Sequence, residues 1–180
     1  MLAAYNHRYN IFHYIVFPQQ YNNNTIYMLI IIEWIVTIGL LIRFIPRNKI
    51  REAHVIYLFK YLLAWTLSFP ISEFKLIEYP VRLFPYANQT SYTFEAFVYP
   101  SLCAIFNTNF PEKKSFFNKF MYYFYYCTSI TILEILTEKY TNIIKYIHWT
   151  WYITWITLFI TFYISRKYYI WFFRLKQHNK

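Results

Sequence analysis

The chain has 180 residues, 58% of them hydrophobic and 26% aromatic, and carries 18 Lys and Arg against 8 Asp and Glu, a net charge of +10 at pH 7. Only one residue is glycine and none is aspartate, which excludes glycine-rich nucleotide loops, the Gly-x-Ser-x-Gly elbow and an aspartate-dependent triad. Charged residues make up 14% of the chain, well below the roughly 25% of a soluble domain. We therefore expect one integral membrane domain with no catalytic motif, no metal site and no cofactor.

The basic residues are concentrated in every second gap between five apolar stretches. This alternation follows the positive-inside rule and predicts an external N-terminus and a cytoplasmic C-terminus. Bases spaced along membrane boundaries favour anionic lipid headgroups as the partner and argue against nucleic acid. The base-rich gaps hold Arg43, Arg47, Lys49, Arg51, Lys113, Lys114, Lys119, Arg166, Lys167, Arg174, Lys176 and Lys180.

Residues 1–25 contain no apolar core that ends at a small-residue cleavage site, so an external or interfacial segment is predicted. Residues 26–45 and 53–71 are apolar over the length that crosses a bilayer, which takes about 20 residues. Glu33 and Lys60 each lie near the middle of their span. In antiparallel neighbours they would meet, so we expect an ion pair that serves either the structure or a proton or cation relay.

The third stretch, residues 94–110, is short, has Glu95 near its start and contains Pro100. It predicts a short kinked helix or a re-entrant element, which is tolerated at membrane depth only where protein shields it. Five spans, rather than four, place all the base-rich gaps on one face of the membrane.

The fourth and fifth spans are predicted at residues 119–136 and 147–165, joined by a connection short enough to make them antiparallel neighbours. Glu134 precedes that connection and His148 follows it. We expect the two side chains to meet, either as a polar clamp that closes the helical hairpin or as a pair that titrates near neutral pH. Residues 166–180 mix bases with large rings and are predicted to leave along the cytoplasmic surface as an interfacial tail.

Two further patterns have a structural and a functional interpretation. Four threonines at helical spacing in the last span predict either close helix packing or a hydroxyl-lined groove: Thr150, Thr154, Thr157 and Thr161. Cys103 and Cys127 fall in separate apolar stretches, so neither a disulfide nor a zinc site is expected.

Several strings together resemble one family. They are LIEYPVRLF (76–84), SYTFEAFVYPSLCAIFN (91–107), EKYTNIIKYIHWTWYITW (138–155) and SRKYYIWFF (165–173). Over residues 43–174 the chain resembles an uncharacterised family of small multi-pass membrane proteins from Bacillus- and Clostridium-like spore-forming bacteria. The resemblance implies a bacterial cytoplasmic membrane and carries no activity or site residue.

The sequence thus predicts an all-α, polytopic bundle of about five transmembrane helices over residues 26–165. The leading hypothesis is a non-enzymatic structural or accessory component of a membrane assembly, with other membrane-protein subunits as partners. An alternative is a small transporter or channel for a proton or small cation that uses the intramembrane carboxylates. An organellar-encoded respiratory-complex subunit of the mitochondrial inner membrane would also fit the aromatic composition, and an intramembrane enzyme of an unfamiliar type is the last alternative.

Overall fold

The computed structural model describes residues 23–81, 83, 86, 89–141 and 143–173. Across these ranges the chain is mostly helical, which confirms the predicted all-α class. In chain order the elements are α1 (Asn23–Phe44), a 3-10 turn (Arg47–Lys49), α2 (Ile50–Glu73), β1 (Ile77–Glu78), a π-helical turn (Thr93–Val98), α3 (Tyr99–Thr108), α4 (Phe116–Tyr140), β2 (Lys145–Tyr146) and α5 (Trp151–Phe172). The predicted external segment up to residue 22 and the tail from residue 174 lie outside the described residues.

Among the described residues, two helical stretches are long and apolar enough to cross a membrane, Ile26–Phe44 and Arg47–Glu73. The π-helical turn and α3 have six and ten residues, which at about 1.5 Å per residue is shorter than a hydrocarbon core of about 30 Å. The helices α4 and α5 are 25 and 22 residues long but rich in Tyr, Trp and Thr, which lower their mean hydropathy. Five spans and their orientation therefore remain predictions.

The last helix differs most from its predicted bounds. It begins at Trp151 rather than at residue 147, because the chain before it pairs with β1, with Ile77 opposite Tyr146 in an antiparallel ladder. It also continues to Phe172 instead of ending at residue 165. The prediction that the chain leaves the bundle at Arg166 is wrong for the described residues, because Arg166 and Tyr169 are each 3% exposed and pack into the bundle.

The short helix α3 is the most buried element and lies at the centre. It packs closely along α2, where small side chains such as Ala53, Ala64 and Ala104 let the two backbones approach. On its other side Phe106, fully buried, contacts the rings of Tyr123 and Phe162 at centroid distances of 4.9 and 4.8 Å. Because lipid supplies no hydrophobic drive between helices, such close packing is the main force that assembles a membrane bundle.

The π-helical turn before α3 has a local cause. Pro100 has no N–H and cannot donate to the carbonyl of Ala96, four residues earlier. That carbonyl accepts the hydroxyl of Tyr57, on α2, at 2.7 Å. A helix that contains a proline at this depth is tolerated when a neighbouring side chain takes up the freed acceptor, and here Tyr57 does so.

The first helix is peripheral. It packs on the π-helical turn and α3, with Trp34 stacked on Phe97 at a centroid distance of 4.3 Å. A narrow stripe that includes Ile26, Ile30 and Thr37 is buried, and most of the remaining surface of α1 is exposed and aliphatic.

Candidate functional site

Lys60 lies in the middle of α2 with its side chain fully buried. Its Nζ atom is 4.0 Å from the ring centroid of Tyr99 and 4.7 Å from that of Phe162. No hydrogen-bond acceptor among the described residues reaches this nitrogen. The faces of aromatic rings attract a cation, so the two rings offset part of the cost of burying the amine.

The surroundings of Lys60 are polar but compact. Cys103 and Cys127 are free, fully buried thiols close enough to interact electrostatically with the amine. Tyr99 and Thr161 share a hydrogen bond between their hydroxyls. Lys60 is therefore enclosed by helices α2, α3, α4 and α5 at once, which places it at the centre of the bundle.

The predicted Glu33–Lys60 pair is wrong. Glu33 lies on α1 and is partly exposed, and Lys60 Nζ has no carboxylate partner within the described ranges. The prediction assumed that consecutive spans pack along their length, whereas α1 packs on the π-helical turn and α3. The Thr37 hydroxyl, one turn further along α1, donates to the backbone oxygen of Glu33 at 2.7 Å and not to its carboxylate.

Glu134 does form a clamp at the end of the α4–α5 hairpin, but with a different partner. The hydroxyl of Tyr146, on β2, donates to Glu134 Oε1 at 2.5 Å, and the Thr154 hydroxyl donates to the same oxygen at 3.0 Å. Trp149 Nε1 in turn donates to Thr154 Oγ1 at 2.8 Å. One carboxylate oxygen thus joins α4, β2 and α5.

The predicted Glu134–His148 contact is wrong, because the chain bends after β2 and leaves the His148 side chain exposed. The backbone N–H of His148 donates to the Leu76 carbonyl at 3.1 Å, which holds the bend against the start of β1. Tyr146, two residues earlier, occupies the place beside Glu134 that the prediction assigned to the imidazole.

A second carboxylate, Glu95, belongs to the same end of the bundle. It is 7% exposed and projects from the π-helical turn, with the hydroxyls of Thr90 and Ser68 in hydrogen-bonding reach. Tyr79, also buried, lies within electrostatic range of both Glu95 and Glu134. We call Tyr79, Glu95, Glu134, Tyr146 and Thr154 the ladder-end cluster.

The tyrosines of the ladder-end cluster are held in their protonated form. Burial raises the pKa of Tyr146, and the nearby Glu134 carboxylate raises it further. Burial likewise raises the pKa of Tyr79 well above its ordinary value, with Glu95 and Glu134 acting in the same direction. Neutral phenols can donate hydrogen bonds to carboxylates, which is the role that Tyr146 has here.

The opposite end of the bundle has its own ionic contacts. Arg166 forms an ion pair with Glu112, donates from Nη1 to the Asn107 carbonyl at 3.2 Å and lies over the Phe110 ring at 4.2 Å. One turn further along α5, the Tyr169 hydroxyl donates to a carboxylate oxygen of Glu52 on α2. We call Glu52, Glu112, Arg166 and Tyr169 the basic-end cluster. The sequence carried one signal for this cluster, the spacing of its residues along α5. Tyr169 falls on the same helix face as four residues that the structure buries, Leu158, Thr161, Phe162 and Ser165.

The predicted threonine stripe is part of the helix interface. Thr154 and Thr161 are buried, whereas Thr157 is only partly so. The Thr161 hydroxyl also contacts the Thr157 carbonyl at 2.8 Å, as expected of threonine inside a helix. This supports the packing interpretation. Within the described residues no three His, Cys, Asp or Glu side chains converge in a way that could hold a metal ion.

Comparison of the chain with protein-family models, with curated proteins and with solved structures found no match. The resemblance drawn from the sequence strings therefore stays a hypothesis, and the case for a function depends on the site itself.

Proposed function

We propose that this chain is a multi-pass protein of the bacterial cytoplasmic membrane that serves as a non-enzymatic accessory component of a larger membrane assembly. The alternating distribution of bases, the two apolar helical stretches and the resemblance to a family of multi-pass membrane proteins support the location. The cytoplasmic face would be the one that carries Arg47 and Arg166.

The observation that carries the accessory role is the open apolar face of α1. Ile31, Ile35 and Ile42 are 58%, 63% and 79% exposed on a helix whose buried stripe is narrow. A surface of this kind requires cover by lipid or by another apolar helix. A helix that joins its own bundle along one stripe only is well placed to pack against a second subunit.

The ionic groups of the interior are consistent with a structural role. Glu134, Glu52 and Arg166 each contact a side chain from a different element, so each links two parts of the bundle. Buried polar contacts of this sort specify which helices pair when the helices are otherwise similarly apolar.

Two experiments test the proposal. Alkaline carbonate extraction should leave the protein in the membrane pellet, and release into the supernatant would exclude an integral protein. A photo-crosslinking residue in place of Ile35 should capture a protein partner in intact cells. The same residue in place of Ile132, exposed on α4, is the matched control and should not capture that partner. Capture of lipid alone at both positions would exclude an accessory subunit that docks through α1.

A second candidate, a proton or small-cation carrier, is favoured by one observation. Lys60 is a fully buried base without a hydrogen-bond acceptor among the described residues, and it lies between the carboxylates of the two end clusters. An ionisable group at membrane depth is a functional-site hypothesis by default. Proteoliposomes that contain the wild-type protein and enclose a pH-sensitive dye should then acidify faster inside, under an inward proton gradient, than proteoliposomes that contain Lys60→Met. Equal rates of acidification would exclude this candidate.

A further inference from the structure

A cavity of about 460 Å³ lies between α1 and α2 at the base-rich end of the bundle. Its walls are apolar and come from Leu41 and Ile42 on α1, from Ile45 just after it, and from Ile50 and Ala53 at the start of α2. Phe97 and Ala104, from the π-helical turn and α3, form its floor. The volume falls within the roughly 300–1,000 Å³ typical of small-molecule sites.

The cavity exists because α1 and α2 share α3 as their packing partner and make few contacts with each other. Ala53 and Ala104 contribute only methyl groups to the space between them. Larger neighbours cannot swing in to fill it, since the Tyr57 hydroxyl is held by the Ala96 carbonyl and Phe97 is stacked on Trp34. The site is therefore preformed, which lowers the cost of binding.

Apart from Tyr57, whose hydroxyl is bonded to the Ala96 carbonyl, the polar groups that line the cavity are basic and lie at its mouth. Arg47 and His54 line it, and both side chains are exposed. Lys49 is already used, because its Nζ donates to the Thr108 carbonyl at 2.8 Å. The acid nearest to them in the sequence, Glu52, accepts the Tyr169 hydroxyl on the other side of α2. The mouth therefore offers an anion two donors for which no acceptor is found among the residues that the structure describes.

We infer that this cavity is a binding site for an anionic phospholipid, with one acyl chain in the apolar space and the phosphate on Arg47 and His54. The inference rests on the proposed membrane location, because it needs the cavity to open into the bilayer beside the headgroup layer. Apolar walls beneath a basic mouth match a molecule that is apolar at one end and anionic at the other. A free phosphate ion would use the mouth and leave the walls without an occupant, so the lipid is the source of the anion.

The test uses the full chain, purified in mild detergent and titrated with phosphatidylglycerol or phosphatidylcholine of identical acyl chains, with bound lipid counted by native mass spectrometry. Wild-type protein should bind phosphatidylglycerol about tenfold more tightly, because phosphatidylcholine carries the same phosphate together with a quaternary ammonium that the two bases repel. The double change Arg47→Gln with His54→Gln should lower the affinity for phosphatidylglycerol to about that for phosphatidylcholine and so remove the preference. Ile42→Trp, which narrows the cavity from its exposed rim, should weaken the binding of both lipids.

Matched controls separate a defined site from general attraction. Arg51→Gln removes an exposed base that does not line the cavity, and Ile35→Trp adds the same ring elsewhere on α1. Both should bind phosphatidylglycerol as the wild type does. Equal affinity of the wild type for the two lipids, or a loss of phosphatidylglycerol binding in Arg51→Gln as large as in the Arg47→Gln, His54→Gln double variant, would overturn the inference. Carbonate extraction of every variant reports the membrane location separately, so a failed lipid site is distinguishable from a failed membrane assignment.

Discussion

The amine of Lys60 lies 4.0 Å from the ring centroid of Tyr99, and the whole side chain is buried. The contact joins the middle of α2 to the first residue of α3, the two helices that pack most closely. Because the amine meets ring faces in place of a carboxylate, it interacts more weakly than in an ion pair, and its aliphatic stem supplies much of the packing.

Lys60→Met should leave the protein at least as stable as the wild type, since methionine has a similar volume and no charge to bury. Lys60→Ala should lower the free energy of unfolding by about 2–5 kcal/mol through the cavity it leaves. Thermal unfolding in detergent compares the two. A loss of stability in Lys60→Met as large as in Lys60→Ala would show that the amine makes an essential contact. If the effects of Lys60→Met and Glu33→Gln on stability were not additive, the Glu33–Lys60 ion pair would be supported after all.

The Glu134 clamp should show strong coupling. Tyr146→Phe should lower the free energy of unfolding by about 1.5–3 kcal/mol, the value of a hydrogen bond to a charged group. Glu134→Gln should lower it by less, because the amide oxygen still accepts a weaker hydrogen bond. The double variant should lose less than the sum of the two single losses, because both changes act on the same contact. Glu73→Gln, on an exposed acid at the end of α2, serves as the control and should have little effect. Additive losses would exclude a direct contact between Glu134 and Tyr146.

The effect of Tyr57→Phe should depend on Pro100. In the wild type the change leaves the Ala96 carbonyl without its side-chain donor and should cost about 1–3 kcal/mol. In a Pro100→Ala background the new N–H can donate to that carbonyl, so the cost of Tyr57→Phe should be much smaller. Unfolding of the four proteins in one detergent measures the difference. An equal cost in both backgrounds would mean that the tyrosine hydroxyl does not replace the donor that proline lacks.

Stability should fall at alkaline pH in part through Tyr146. A tyrosine in the unfolded chain titrates near pH 10, whereas burial and Glu134 raise the pKa of the folded Tyr146. Above about pH 10 the unfolded state therefore loses this proton first, and the free energy of unfolding falls as pH rises toward the folded pKa. Melting temperatures between pH 8 and pH 11 should decline less steeply in Tyr146→Phe than in the wild type. Tyr140→Phe, at an exposed position on α4, should keep the wild-type slope, and a slope that Tyr146→Phe leaves unaltered would contradict the assignment.

The sequence by itself determined the helical class and the approximate position of each helix, because apolar length and the placement of Pro and bases act over a turn or two of chain. It also identified Glu33, Lys60 and Glu134 as ionisable groups inside apolar stretches. It could not identify their partners. Tyr146 reaches Glu134 because β2 pairs with β1, a segment far away in the sequence, and that pairing turns His148 outward.

Only the tertiary structure decided that Glu33 and Lys60 stay apart, that Arg166 points inward and that a cavity opens between α1 and α2. Each depends on which helices share an interface, and helices of similar apolarity can be arranged in several ways with nearly equal packing energy. Side-chain fits such as Ala53 beside Ala104, and hydrogen bonds such as that of Tyr57 to the Ala96 carbonyl, select among those arrangements. They exist only once the chain has folded, because they join residues whose separation in sequence carries no local signal.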